Sequence, residues 1–446
     1  MLELIGSIPL FGGFLTAALA LIVVLLVIIF IHEYGHYIVG RWCGIHAEVF
    51  SMGFGPVLAS RIDKRGTKWQ ISAIPFGGYV RFLGDADASS RNDQSVIDAM
   101  DAETRSRSFH GAKLYKKALT VSAGPVANFI LSSLIFAGVI LAAGIVTERP
   151  IIGALKPLPT ATIGLKPQDV ITKINDVTVA TYDDLLNYAR NVETIAPQQV
   201  YTVERDGNVI TTTGPFPLLP LVNSVQPQSA AMEAGLQVGD LILSIDGQKL
   251  ISFSQLQDVV FASKGRELAL EIWRDGEVST VKLAAKLVDL PDGNGGFTQR
   301  TLIGISGGLF YEPETRGVGL LEAAKLGVTQ TGDIITGSLN GLYHMVKGAI
   351  STCNMQGFVG IAESSRDAAS QGIEQFIWFI AVLSTAIGML NLFPIPVLDG
   401  GHLVFFGYEA ISGKPPSEKA LNLMMSAGLF LIISLMVFAL VNDFIC

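Results

Sequence analysis

The residues best equipped for chemistry are His32, Glu33 and His36, within Ile31-His32-Glu33-Tyr34-Gly35-His36. Continued as a helix, this stretch sets His32 and His36 one turn apart on one face, where two imidazoles can grip one metal ion. Glu33 lies between them and points near the ion without being forced to ligate it. The chemistry of this H-E-x-x-H pattern is hydrolysis: two histidines hold zinc and the glutamate acts as general base on a water. A second carboxylate arrives late, in Asn391-Leu392-Phe393-Pro394-Ile395-Pro396-Val397-Leu398-Asp399-Gly400-Gly401-His402. There two prolines break a helix and deliver Asp399. Two histidines, one carboxylate and a water make an open, catalytic zinc site, in contrast to a closed structural one. His402 reads as a polar residue supporting that site.

The elements that must position these residues are long apolar stretches. Leu4–Ile31, Ala118–Thr147, Gln375–Leu398 and Ala420–Asn442 carry almost no charge, and a helix of about 20 apolar residues crosses a bilayer. The histidine motif closes the first stretch and Asp399 closes the third. Ionisable groups at membrane depth are costly and mark functional sites. The first stretch is too long for a signal peptide, lacks a basic leader and runs into the motif, so it reads as a permanent span. Residues 39–117 are rich in Lys and Arg, which places them on the cytoplasmic side, with the N-terminus, the central region and the C-terminus opposite. A net charge of -8 argues against a nucleic-acid partner. Cys43, Cys353 and Cys446 are widely separated and give no disulfide framework.

In chain order the expected organisation is a first transmembrane helix with the zinc motif (1–38), then a cytoplasmic, membrane-associated β region (39–117). A second transmembrane helix (118–147) follows. Two soluble β-rich domains come next (150–221 and 222–290), then a linker with membrane-surface amphipathic helices (291–374). A third transmembrane helix with the aspartate (375–402) and a fourth (420–442) complete the chain. In the β region, Ala47–Ser60 and Lys68–Phe82 read as strands around turn signals. The glycine-rich Pro75-Phe76-Gly77-Gly78-Tyr79-Val80 suits an edge beside the active site, able to pair with an unwound substrate backbone. Residues 85–107 read as a polar connector. Asn128, polar within the second span, reads as glue between helices.

The soluble region contains an internal repeat. Gly235-Leu236-Gln237-Val238-Gly239-Asp240-Leu241-Ile242-Leu243-Ser244-Ile245-Asp246-Gly247 is echoed by Gly164-Leu165-Lys166-Pro167-Gln168-Asp169-Val170-Ile171-Thr172-Lys173-Ile174-Asn175-Asp176. The second copy resembles PDZ domains, which bind extended peptides by strand addition. The first departs where Gln168 and Asp176 replace glycines.

With these motifs and Ala123-Gly124-Pro125-Val126-Ala127-Asn128-Phe129 in this order, the chain resembles the site-2 proteases over nearly its whole length. The resemblance implies a polytopic α-helical membrane protein of four transmembrane helices, with a membrane-associated β-sheet and two periplasmic PDZ-like domains. It implies an inner-membrane zinc endopeptidase cutting single-span proteins within the bilayer, among them a pre-cut anti-sigma factor and remnant signal peptides. His32, His36 and Asp399 match the family's zinc ligands, Glu33 its catalytic base and Asn391 a substrate-holding residue. Phe358 stands where relatives carry proline. A scaffold with a structural zinc would carry the same metal residues but tolerate Glu33→Gln. A metal transporter would need a polar path across the bundle, and the spans offer few polar residues outside the zinc motifs.

Overall fold

A computed structural model describes residues 12–85, 100–159, 163–291 and 296–445. The chain forms two compact units. One comprises Met1–Val139, Leu320–Tyr343 and Thr352–Cys446, the other Ile140–Gly319 and His344–Ser351.

The first unit is helical. Helix α1 spans Gly12–Trp42, α2 Leu114–Ala143, α3 Leu320–Val346, α4 Phe358–Ser370, α5 Ile373–Asn391, α6 Asp399–Ser412 and α7 Glu418–Ile445. Four of them, α1, α2, α5 and α7, are long and apolar enough to cross a membrane. Large apolar side chains such as Leu134, Leu423 and Phe430 stand exposed on them. Such a surface is unfavourable in water and neutral in lipid, and each helix satisfies its own backbone. The chain is a multi-pass membrane protein.

Small residues let these helices close on one another. A Cβ on Gly35 of α1 would lie 2.8 Å from Ala127 Cβ of α2, and one on Gly388 of α5 would lie 3.1 Å from Asn128 Cβ of α2. Helix α3 packs along α2 through Gly327 and a Ser133 Oγ–Thr331 Oγ1 hydrogen bond of 3.0 Å. Asp443, near the end of α7, accepts hydrogen bonds from the backbone N–H groups of Gly357, Val359 and Gly360 at the start of α4.

The third span is broken where the two prolines were expected to break it. Helix α5 ends at Asn391, and a new helix, α6, begins at Asp399. Pro394 and Pro396 carry no N–H to continue the ladder, and Val397 adopts φ 96°.

Between α1 and α2 lie strands β1 (Ala47–Ile62) and β2 (Lys68–Phe82). Both bend, so Phe50 pairs with Val80 on one side and Trp69 on the other. Phe50 and Trp69 stack with ring centroids 4.3 Å apart in the core of this small sheet. Segment 78–82 is an edge, paired with 47–52 on one side only among the described residues. The connector expected at 85–107 falls mostly outside the described residues. Its described end carries a short helix, Ala102–Ser106.

The second unit is β-rich, and its two copies of the repeat share one design. The first copy is a sheet in the order Val177–Thr178, Val170–Ile174, Gln198–Arg205, Asn208–Pro215, with helix Tyr182–Asn191. The second runs Glu277–Ala284, Glu267–Arg274, Leu241–Ile245, Leu218–Val225, Ile305–Leu309, with helix Phe253–Ser263. In each, a fully buried aspartate takes a two-pronged guanidinium, Asp169 with Arg205 and Asp240 with Arg274, all at 2.6 Å. In each, the same guanidinium also donates to the glycine that opens the motif, Gly164 or Gly235. Each helix begins with a capping box, Thr181/Asp184 and Ser252/Gln255.

Gln168 adopts φ 69°, so the first copy keeps the left-handed turn that Gly239 makes in the second, at the steric cost any Cβ carries there. The stretch after 290, read as linker, instead supplies strands. Ile305–Leu309 joins the second sheet beside Leu218–Val225 because Ile303 and Phe310 at its ends are buried in the common core. Cys353 is disulfide-bonded, against the expectation of no disulfides, while Cys43 is free and Cys446 lies outside the described residues.

Candidate metal centre

Helix α1 runs unbroken through the motif, so His32 and His36 share a face. Their rings meet edge to face, with Nε2 atoms 3.2 Å apart. The first turn of α6 brings Asp399 against them, Oδ2 lying 3.2 Å from His32 Nε2 and 3.5 Å from His36 Nε2. Donor atoms of all three lie within 4.8 Å of one another. The aspartate Oδ2 is buried with no hydrogen-bond partner. Three lone-pair donors turned on one point, one of them an anion otherwise uncompensated, make a poor hydrogen-bond network and a good cation site.

The second span builds the wall behind the rings, and every part of it falls on one face at four-residue intervals. Thr120 O accepts a hydrogen bond from His36 Nδ1 at 2.9 Å, which fixes the tautomer whose Nε2 lone pair faces the cluster. One turn on, Gly124 leaves the space the imidazoles occupy: a Cβ there would run into His36 Nε2 and lie 2.9 Å from His32 Cε1. One further turn on, the Asn128 carboxamide approaches His32 Nδ1 at 3.3 Å. The donor set, the orphaned carboxylate oxygen and the glycine cradle all fit zinc.

Glu33 lies on α1 beside the cluster, with the backbone near Val80 close to its carboxylate. Gly78 allows that approach, since a Cβ there would sit 3.0 Å from Glu33 Cγ and 2.9 Å from Ser51 O. The edge segment 78–82 therefore lies alongside the glutamate. Asn391 is the half-buried last residue of α5. His402, one turn into α6, packs its ring on Phe405 and is not among the three clustered donors.

Sequence reasoning missed the wall. Thr120, Gly124 and Asn128 recur every four residues, the spacing of one helix face, but nothing in the sequence says what that face meets.

Comparison with known proteins defines the class. The family model described as "Peptidase family M50" matches residues 20–435, so the chain belongs to peptidase family M50, the site-2 protease family. The chain is 36% identical over 440 residues to an Agrobacterium fabrum protein named "Putative zinc metalloprotease Atu1380", covering 97% of this chain and 96% of that protein. It is 34% identical over 424 residues to a Brucella suis protein also named a zinc metalloprotease, covering 94% and 93%. It is 32% identical over 467 residues to the "Regulator of sigma E protease" of Haemophilus influenzae, covering 97% and 99%. The protein is a membrane-embedded zinc metalloprotease.

Proposed function

We propose that this chain cuts the transmembrane segments of single-span proteins, with His32, His36 and Asp399 holding zinc, Glu33 as general base and Asn391 helping to hold substrate. The observation that carries the reading is the convergence of Nε2, Nε2 and Oδ2 beside Glu33 at the end of an apolar helix. Zinc bound there supplies Lewis-acid chemistry, lowering the pKa of a water and polarising a carbonyl. Glu33 takes the proton from the attacking water and passes it to the leaving nitrogen. A helical substrate hides its carbonyls in its own hydrogen bonds, so it must unwind before attack. The open edge at 78–82, beside Glu33, supports strand addition as the way the unwound stretch is held.

Substrates of the class expected are a pre-cut anti-sigma factor and remnant signal peptides, in envelope stress signalling at the bacterial inner membrane. The active site then lies near the cytoplasmic side, with the β-rich repeats periplasmic. The repeats are PDZ-like in this reading. The groove between helix Phe253–Ser263 and Ile303-Gly304-Ile305, lined by Leu256 and Val260, supports peptide addition in the second copy. The pair also admits only substrates stripped of a bulky outer domain. The deciding test is cleavage of a single-span reporter by wild type and Glu33→Gln, with zinc measured in both. Zinc retained with cleavage lost supports the reading; equal cleavage overturns it.

A further inference from the structure

We infer that Asn128 is a positioning residue for His32, setting through an accepted hydrogen bond the tautomer in which His32 binds zinc. The inference rests on the reading of His32 as a ligand. Asn128 is fully buried in the second span. Its carboxamide lies with Nδ2 3.3 Å from His32 Nδ1 and with Oδ1 buried against no partner among the described residues. A ring that binds metal through Nε2 carries its proton on Nδ1, and that proton needs an acceptor. An amide N–H aimed at Nδ1 would demand the opposite tautomer, with the proton on Nε2 between His36 and Asp399. A half-turn of the carboxamide keeps its outline and brings Oδ1 onto the Nδ1 proton. The same turn removes the orphaned acceptor.

The residue is placed to be held there. Its own carbonyl accepts from Ser132 Oγ at 2.9 Å and from Ser384 Oγ of the third span at 3.0 Å. Gly388 of that span leaves the room its Cβ fills. The span that leads to Asp399 thus fixes the backbone of the residue that orients His32. Thr120 and Asn128, two turns apart on α2, then treat the two ligand histidines alike: each ring gives its Nδ1 proton to an oxygen of the second span. Helix glue alone would not need an amide at this atom.

The test is the zinc dissociation constant of the full-length protein in detergent, by chelator competition, for wild type, Asn128→Ala, Asn128→Asp and His32→Ala. Aspartate accepts and, ionised, cannot donate. The expected results are affinity weakened about 10- to 100-fold in Asn128→Ala and kept or improved in Asn128→Asp. Zinc affinity weakened about 10-fold or more in the aspartate variant, or unchanged affinity in Asn128→Ala, overturns the inference. The aspartate variant decides even if alanine fails to fold. His32→Ala separates the two readings: zinc bound as in wild type there removes His32 as a ligand. Zinc lost there while Asn128→Ala binds normally removes only the role of Asn128.

Discussion

Adding one methyl group at Gly124 tests whether the second span is a passive neighbour or the mould of the metal centre. In Gly124→Ala the new carbon would lie 2.5 Å from His36 Cε1 and 2.9 Å from His32 Cε1, with His36 Nε2 nearer still. Carbon atoms rest at about 3.5 to 4.0 Å, so the His36 ring must retreat by about 1 Å or α2 must move bodily. The second route is opposed by Gly388 of α5, packed against Asn128 and Pro125 of α2. The rings therefore give way. Metal–ligand distances tolerate only about 0.2 Å, so zinc affinity falls sharply. Among molecules that retain zinc, misplacement by about 1 Å costs on the order of 100-fold in rate, or about 2.7 kcal/mol in the barrier. Reporter cleavage, zinc content by elemental analysis and thermal unfolding of the same preparation separate this from collapse of the fold. Gly124→Ala with full zinc and wild-type cleavage would refute the argument.

Four further outcomes follow from the same geometry. Glu33→Gln should keep its zinc and lose about 100- to 10,000-fold in cleavage, measured against zinc content in the same sample. Arg274→Ala strands the fully buried Asp240 carboxylate, a loss of about 3 to 5 kcal/mol; hydrogen exchange should rise across the second repeat and stay unchanged at α1. Deleting Pro150–Asp289 should let the protease cut reporters that keep a bulky outer domain, and unchanged selectivity would remove the filter role. Asp184 and Asp246 contribute to the acid-side pH dependence of the two repeats. The Thr181 and Ala180 backbone N–H groups hold Asp184 below the usual carboxylate range, and the Ala269 N–H followed by Arg266 does so for Asp246. Carboxylates with lowered folded pKa stabilise above their unfolded value, about pH 3.9, and lose that as pH falls through the folded one. Exchange protection of both repeats should therefore weaken below about pH 4, and less so in Asp246→Asn.

Much of this protein is legible one residue at a time. Four apolar runs, two histidines a turn apart, an intervening glutamate and a proline-broken aspartate are local patterns, and local patterns survive in sequence because helix periodicity is short-range. The repeat was equally visible, since Asp169 and Asp240 head the same strand in each copy. What the sequence alone could not supply was the company these residues keep. That Ile305–Leu309 completes a sheet begun at Leu218 is a long-range pairing, and that Thr120, Gly124 and Asn128 face the imidazoles depends on how two helices rotate against each other. A polar residue on an apolar helix says that it needs a partner. Only the packed structure decides which one.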